Sequence, residues 1–202
     1  MDKSELIMSL RRVGFSDRII NAFSKVPREL FVPQEYRNLS YDDAALPIGH
    51  SQTISQPYTI ATMLSVLHLR EGQKVLEIGS GSGYVLALLS EIVGSKGQVS
   101  GIEIIKDLYL NSKKTLAPYK NIRVYCQDGK QGLPLQTPFD RILISAALEE
   151  VPKPILDQLR EGGVLVAPIG SSQQQSITAI KKHENFSLRI KQIPGFVFVK
   201  FV

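Results

Sequence analysis

The apolar and polar positions of the chain predict strands and helices that alternate from residue 73 onward. Short apolar runs typical of buried strands occur near 74–78, 98–103, 122–126, 140–145 and 163–168. Segments with helical apolar spacing occur between them, near 84–92, 106–117 and 152–160. Such alternation is typical of a parallel sheet with helices on both faces. We therefore expect an α/β fold with a doubly wound, mostly parallel sheet.

The N-terminal part has a different pattern. Ser4 can cap a first helix that ends at Gly14, and Ser16 can cap a second that stops before Pro27. Helical spacing returns over 58–69. The segment between them, 27–57, holds four prolines and little regular pattern, which is typical of a functional loop.

The C-terminal tail contains two further runs typical of strands, 177–180 and 196–202, separated by a break at Pro194-Gly195. They would extend the sheet, one of them antiparallel. Gly162-Gly163 reads as a helix stop before the fifth strand. We expect a single domain over 1–202.

Composition limits the classes of protein to which the chain can belong. No apolar run approaches the roughly 20 residues of a membrane span, and the N-terminus lacks the apolar stretch of a signal peptide. The single cysteine, Cys126, follows a strand pattern and is expected to be buried; with no internal disulfide, a cytoplasmic location is favoured. The net charge is +5, but the basic residues are scattered, so we expect no nucleic-acid partner.

The most specific local pattern is the turn after the first strand. Glu77 ends an apolar strand and is followed by Gly79, Gly81 and Gly83, which allow the backbone to approach a ligand closely. Glu103 ends the next strand, 20 residues after Gly83, at the spacing of an acid that binds ribose hydroxyls. The pattern predicts a cofactor that contains a nucleoside.

The details favour S-adenosylmethionine (AdoMet) over a dinucleotide. The dinucleotide fingerprint needs a third glycine where Tyr84 stands. The observed E-x-G-x-G-x-G instead resembles the first motif of the seven-stranded AdoMet-dependent methyltransferases, which implies their Rossmann-like fold. An NAD-dependent dehydrogenase is disfavoured by Tyr84, and a nucleoside-binding module without enzymatic activity stays open.

A second resemblance covers nearly the whole chain in order. The chain resembles the protein-L-isoaspartate O-methyltransferases in blocks before, within and after the cofactor core. These blocks are 27–33, 41–49, 52–58, 75–84, 101–103, 128–129, 139–142, 146–147, 151–152, 159–163 and 168–170. The block Thr53-Ile54-Ser55-Gln56-Pro57 is more specific than the glycine turn.

The resemblance implies methyl transfer from AdoMet, with S-adenosylhomocysteine as product, to the carboxylate of L-isoaspartyl, with D-aspartyl as a further acceptor, in damaged proteins or peptides. It divides the domain into N-terminal helices and acceptor loop (1–70), AdoMet-binding core (71–170) and C-terminal strands (171–202). Apart from the resemblance, we expect a cytoplasmic monomer without a membrane partner.

The residue roles follow from the local sequence patterns and from the family resemblance. Glu103 is expected to bind the ribose, Asp128 and Gly129 the adenine, and Glu77 to fix the glycine turn through its backbone N–H groups. The full set of predicted cofactor-binding residues is Glu77, Gly79, Ser80, Gly81, Gly83, Glu103, Ile104, Asp128 and Gly129.

On the acceptor side, the resemblance implies that the Ser55 hydroxyl orients the substrate carboxylate. Ser55 stands just before Pro57, so a plain helix cap is the competing interpretation. The neighbours Thr53, Ile54, Gln56 and Pro57 are predicted to bind substrate. A carboxylate acceptor with a pKa near about 4 is already ionised at neutral pH and needs no general base.

Some positions depart from the family. The acceptor loop reads Gly49-His50-Ser51-Gln52-Thr53 where relatives have G-x-G-Q-T, Gln127 replaces a common glycine, and the tail lacks an aromatic-Val-Pro-Leu ending. A carboxyl methyltransferase for a different aspartyl or peptide acceptor is therefore an alternative. An RNA or protein N-methyltransferase is disfavoured because Ser145-Ala146-Ala147-Leu148 replaces a polar-Pro-Pro-aromatic turn. The three histidines have no metal-ligand spacing, and we predict no metal.

Overall fold

The computed structural model describes residues 1–171, 173–183 and 187–201. The α-helices are α1 (Lys3–Val13), α2 (Asp17–Lys25), α3 (Pro57–Leu67), α4 (Tyr84–Val93), α5 (Lys106–Thr115) and α6 (Lys153–Asp157). The strands are β1 (Leu46–Gly49), β2 (Gln52–Ile54), β3 (Lys74–Ile78), β4 (Gln98–Glu103), β5 (Ile122–Cys126), β6 (Phe139–Ile144), β7 (Leu159–Gly170), β8 (Gln175–Lys182) and β9 (Leu188–Phe196). Short 3-10 turns cover Arg28–Phe31, Gln34–Leu39, Gly129–Gln131 and Pro134–Gln136.

A seven-stranded sheet with the order β5-β4-β3-β6-β7-β8-β9 forms the centre of the fold. Strands β3 to β7 are parallel, β8 is antiparallel to β7, and β9 is antiparallel to β8. The central strands are buried on both faces, as their continuous apolar runs require. This confirms the predicted α/β fold with a mostly parallel sheet.

Two apolar layers cover the sheet. One layer contains α2, α3 and α4, with residues such as Phe23, Leu64 and Leu88. The other contains Ile155 of α6, which belongs to the same apolar cluster as Phe139 of β6. None of the helices formed by the described residues combines the length and apolar character needed to cross a bilayer.

The first helix begins earlier than predicted. Asp2, not Ser4, is the N-cap: its side chain accepts from Glu5 N at 2.9 Å, and Glu5 Oε2 accepts from Asp2 N at 2.7 Å. This reciprocal pair stabilises the helix start better than a single hydroxyl does. The predicted end at Gly14 is confirmed by its left-handed backbone.

The segment 27–57, predicted to be irregular, contains the antiparallel hairpin β1–β2. Its turn places His50 (φ 54°) and Ser51 (φ 57°) consecutively in the left-handed region. Two-residue hairpin turns of this kind favour Asn-Gly. Neither residue stands at positions 50 and 51, which explains why the hairpin was not predicted.

Predictions near the C-terminus were partly wrong. The helix expected over 152–160 ends at Asp157, and Gly162-Gly163 lies inside β7, where the register against β6 shifts. Pro194-Gly195 likewise lies inside β9 rather than separating two strands. Residues 197–201 are not a regular strand, apart from a bridge between Lys200 and Ala147, and Val202 lies outside the described residues. Cys126, expected to be buried, is exposed.

Candidate active site

The carboxyl ends of β3, β4, β5 and β6 meet at one edge of the sheet around a pocket. The space not filled by protein atoms there is about 930 Å³, which includes open solvent. The hairpin β1–β2 covers one side through Ile48, Gln52 and Ile54, and residues 199–201 form another wall.

The turn between β3 and α4 forms the floor of this pocket. Gly79 N and Ser80 N donate to Ile102 O at 2.9 and 3.0 Å, and Gly81 N donates to Glu103 Oε2 at 2.7 Å. Gly79, Gly81 and Gly83 all have positive φ, and a Cβ at Gly83 would lie 2.7 Å from Leu116 Cδ1. The turn therefore needs glycine both for its backbone conformation and for close packing.

Glu103 is 5% exposed, and its two carboxylate oxygens each accept one backbone N–H, from Gly81 and from Ile105. A carboxylate has about four lone-pair sites, so each oxygen keeps one for a ligand hydroxyl. The predicted mechanism for fixing the turn was therefore assigned to the wrong acid, because Glu103 rather than Glu77 accepts the backbone N–H.

Glu77 instead points toward β6. Its Oε1 accepts from the Ser145 hydroxyl at 2.7 Å, while its buried Oε2 has no hydrogen-bond partner. Burial raises the pKa of Glu77 to about 8, with a smaller contribution from the charge of Glu103 and an opposing one from the Ser145 hydrogen bond. Glu77 is also one of the residues that line the pocket.

At the end of β5, the residues that line the pocket differ in part from those predicted to bind adenine. Gln127 and Gly129 line the pocket, together with Ile104 from the end of β4. Asp128 is not among the lining residues; its carboxylate accepts from Lys130 N at 2.8 Å and caps a 3-10 turn. Gln127 was missed as a site residue, although its departure from the family's glycine was a usable signal.

Ser55 lies between β2 and α3 and is not the helix cap. That position belongs to Gln56, whose side chain makes no cap hydrogen bond; the Asp43 carboxylate instead accepts from Tyr58 N at 2.8 Å in the first turn of α3. Ser55 lines this pocket and also a second cavity. Thr53 lies in both cavities, Ile54 lines the pocket, and Gln56 lines the second cavity. Pro57, the first residue of α3, is buried and lines neither.

The second cavity, which we call the acceptor groove, runs beside the start of α3. One wall contains Ala45, Gln56 and Thr59, and the other is the segment 195–199. Thr53, Ser55 and Val199 line both the groove and the pocket, so the two cavities adjoin at these residues.

Arg28 was missed by sequence reasoning. It is fully buried, its Nη2 donates to Ser55 O at 3.0 Å and Ala44 O at 3.3 Å, and its guanidinium lies 5.0 Å from the centre of the Tyr84 ring. Burial lowers its pKa.

The C-terminal segment was also missed as part of the pocket. Ala147 N donates to Val199 O at 2.7 Å and Phe201 N to Ala147 O at 2.8 Å, which fixes the segment against the loop after β6. Phe201 lies next to Gly129, about 3.6 Å from a Cβ built there. Among the described residues, no three His, Cys, Asp or Glu side chains gather as a metal site would require.

Comparisons with known proteins agree with this geometry. The family model described as Protein-L-isoaspartate(D-aspartate) O-methyltransferase (PCMT) matches residues 1–202. A protein-L-isoaspartate O-methyltransferase of Methanothrix thermoacetophila is 43% identical over 100% of this chain and 95% of the relative. One of Methanococcoides burtonii is 39% identical over 98% of each chain.

Solved structures show the same fold. A protein-L-isoaspartate O-methyltransferase superposes with a TM-score of 0.90 at 31% identity, over 98% of this chain and 65% of that one. A beta-aspartate methyltransferase (PCMT) from Plasmodium falciparum, in complex with S-adenosyl-L-homocysteine, has a TM-score of 0.86 at 25% identity over 100% and 99%. The resemblance inferred from the motifs is confirmed: the chain belongs to the protein-L-isoaspartate(D-aspartate) O-methyltransferase family.

Proposed function

We propose that this protein methylates the free carboxylate of L-isoaspartyl residues in damaged proteins or peptides, with AdoMet as donor, and that D-aspartyl residues are a second acceptor. Family membership supports the reaction class. The observation that carries the proposal for the site is that Ser55 lies where the pocket at the strand ends adjoins the acceptor groove. A transferase for two substrates needs two such neighbouring cavities.

The pocket fits AdoMet chemically. It holds two buried acids, Glu77 and Glu103, and Glu77 Oε2 has no partner in the protein. Bound AdoMet would supply a methyl group on a positively charged sulfonium. Glu103 retains acceptor sites for the two ribose hydroxyls, and the apolar side chains of Ile104 and Phe201 suit a flat base.

The groove would position the acceptor. We assign to Ser55 a hydroxyl hydrogen bond that orients the substrate carboxylate, with Thr53 and Gln56 lining the approach. Arg28 acts behind Ser55 by fixing its carbonyl. Because the acceptor is already ionised, the protein has to supply orientation and exclusion of water, which can contribute several kcal/mol, rather than a base.

The remaining proposals concern the partners, the oligomeric state and the cellular location of the protein. Damaged proteins or peptides are the partners, nucleic acid and membranes are not, and the chain acts as a monomeric single domain in the cytoplasm. The support is compositional: scattered basic residues and a single cysteine.

The decisive experiment uses labelled AdoMet and a matched pair of peptides with L-isoaspartyl or L-aspartyl at one position. We expect base-labile label on the isoaspartyl peptide only. Label on neither, with AdoMet binding intact, would overturn the isoaspartyl assignment. It would favour the alternative, a different carboxylate acceptor selected by the altered His50-Ser51 turn.

A further inference from the structure

The strand β9 forms one end of the sheet, and among the described residues no strand pairs with its outer edge. Most of its side chains are exposed, including Leu188 (43%) and Ile190 (57%). An edge of nine residues with free backbone groups is a template for another extended chain.

One face of this edge carries an unusual cluster of charges. Lys181 of β8 stands directly opposite Arg189 of β9, and Lys191 lies diagonally across on the same face. All three are exposed, and no carboxylate of the described residues lies within 4.0 Å of any of them. Like charges directly opposite each other destabilise a strand pair, so this basic cluster reduces stability unless a negative partner binds it.

The basic cluster and the acceptor groove both include residues of the same strand, β9. The same face of β9 leads to Ile193 and Phe196, which pack against the core layer that contains α3, and Phe196 then lines the groove. Lys191 and Arg189 lie five and seven residues before Phe196. At roughly 3.3 Å per residue, they lie roughly 17 and 23 Å along the strand from the groove.

We propose that β9 and the basic cluster of Lys181, Arg189 and Lys191 form an extended docking surface for the damaged substrate chain. A segment of that chain leaves the groove, pairs with the free edge of β9, and places acidic side chains against the cluster, about five to seven positions from the isoaspartyl residue. This inference rests on the proposed function, because it concerns the same acceptor.

The test compares acceptor peptides that share one isoaspartyl core. One has no extension, and the others carry an extended run of glutamates or of glutamines, placed on the N-terminal side or on the C-terminal side. At low salt we expect the glutamate run on one side to lower KM about fivefold relative to the glutamine run, with kcat unchanged, and the difference to vanish at high salt. Equal KM values for glutamate and glutamine runs on both sides would overturn the proposal.

Charge-reversal variants distinguish an effect of the basic cluster from an effect of the protein's net charge. K181E/R189E/K191E should abolish or invert the preference for glutamate while leaving kinetics on the short peptide unchanged. K96E/K113E/K114E, with the same change in net charge at exposed lysines elsewhere, should retain it. An unchanged preference in the first variant would mean that the cluster only protects the edge from pairing between copies.

Two controls keep the outcomes distinct. If the triple variant does not fold, the wild-type comparison of extended peptides still decides. Failure to methylate the short isoaspartyl peptide would contradict the proposed function itself. Normal methylation of that peptide without any glutamate effect would contradict only the docking surface.

Discussion

Glu103 Oε2 lies 2.7 Å from Gly81 N, so the acid that ends β4 holds the glycine turn that follows β3. Its other oxygen accepts from Ile105 N at 2.9 Å. One side chain thereby fixes two loops on opposite sides of the pocket floor. The shape of the cofactor site depends on this carboxylate before any ligand binds.

The first prediction follows from that bond. Glu103→Gln presents an N–H₂ group to one of two backbone donors and loses charge-assisted hydrogen bonds of about 1.5–3 kcal/mol. We expect the Kd for AdoMet to rise by about 10- to 150-fold, measured by calorimetry. The control Glu161→Gln, at an exposed position in β7, should leave Kd unchanged. Unaltered affinity in Glu103→Gln would contradict this role.

The second prediction concerns Glu77 and pH. Burial raises its folded-state pKa to about 8, above its ordinary value, so the folded protein binds more protons than the unfolded one. The stability that this group contributes is fully present below its ordinary pKa and is lost as pH rises toward and through about 8. Ligand-free protein should lose free energy of unfolding on the order of 5 kcal/mol across this window.

Urea unfolding at several pH values measures this loss, and Glu77→Gln is the matched variant, because a neutral amide of the same shape does not titrate. Subtracting the two pH profiles isolates the contribution of Glu77. Parallel profiles would show that the carboxyl group titrates normally.

The sequence predicted the core of the fold well because buried parallel strands have continuous apolar runs. The runs ending at Ile78 and Glu103 mark β3 and β4 directly. The hairpin β1–β2 was missed because its turn uses residues that rarely adopt positive φ. Periodicity could not place the end of α6, where β7 begins two residues after Asp157.

Site residues could be predicted from the sequence where a residue type has one chemical use. They were harder to predict where the neighbouring residues determine what a side chain contacts. The glycine turn was located from spacing alone. Which acid holds it depends on side-chain direction, and Glu77 and Glu103 exchange their expected roles for that reason. Arg28 contacts Ser55 across 27 residues of sequence, a relationship that no local pattern contains.

The third prediction uses the turn of the β1–β2 hairpin. A residue with a Cβ in the left-handed region costs about 1–2 kcal/mol, whereas glycine costs about 0.5–1 kcal/mol in chain entropy. Ser51→Gly should therefore raise the free energy of unfolding by about 0.5–1 kcal/mol, seen as a higher midpoint in urea with the same slope. Ser51→Ala keeps the Cβ and should bring no gain; equal gains from both would point to the lost hydroxyl instead.

The last prediction separates the two interpretations of Ser55. Because Gln56 is the N-cap residue of α3 and the Asp43 carboxylate, not Ser55, accepts from Tyr58 N, Ser55→Ala should change the free energy of unfolding by less than about 0.5 kcal/mol. If its hydroxyl orients the acceptor carboxylate, the same change should lower kcat/KM for the isoaspartyl peptide about 10- to 100-fold, as expected for a hydrogen bond to a charged group. The Kd for AdoMet should stay within about twofold, since the contacts of Glu77 and Glu103 remain. Ser55→Thr, which keeps the hydroxyl, should restore part of the activity. A variant that loses stability and activity together would instead assign Ser55 to holding the start of α3, and full activity in Ser55→Ala would remove it from the mechanism.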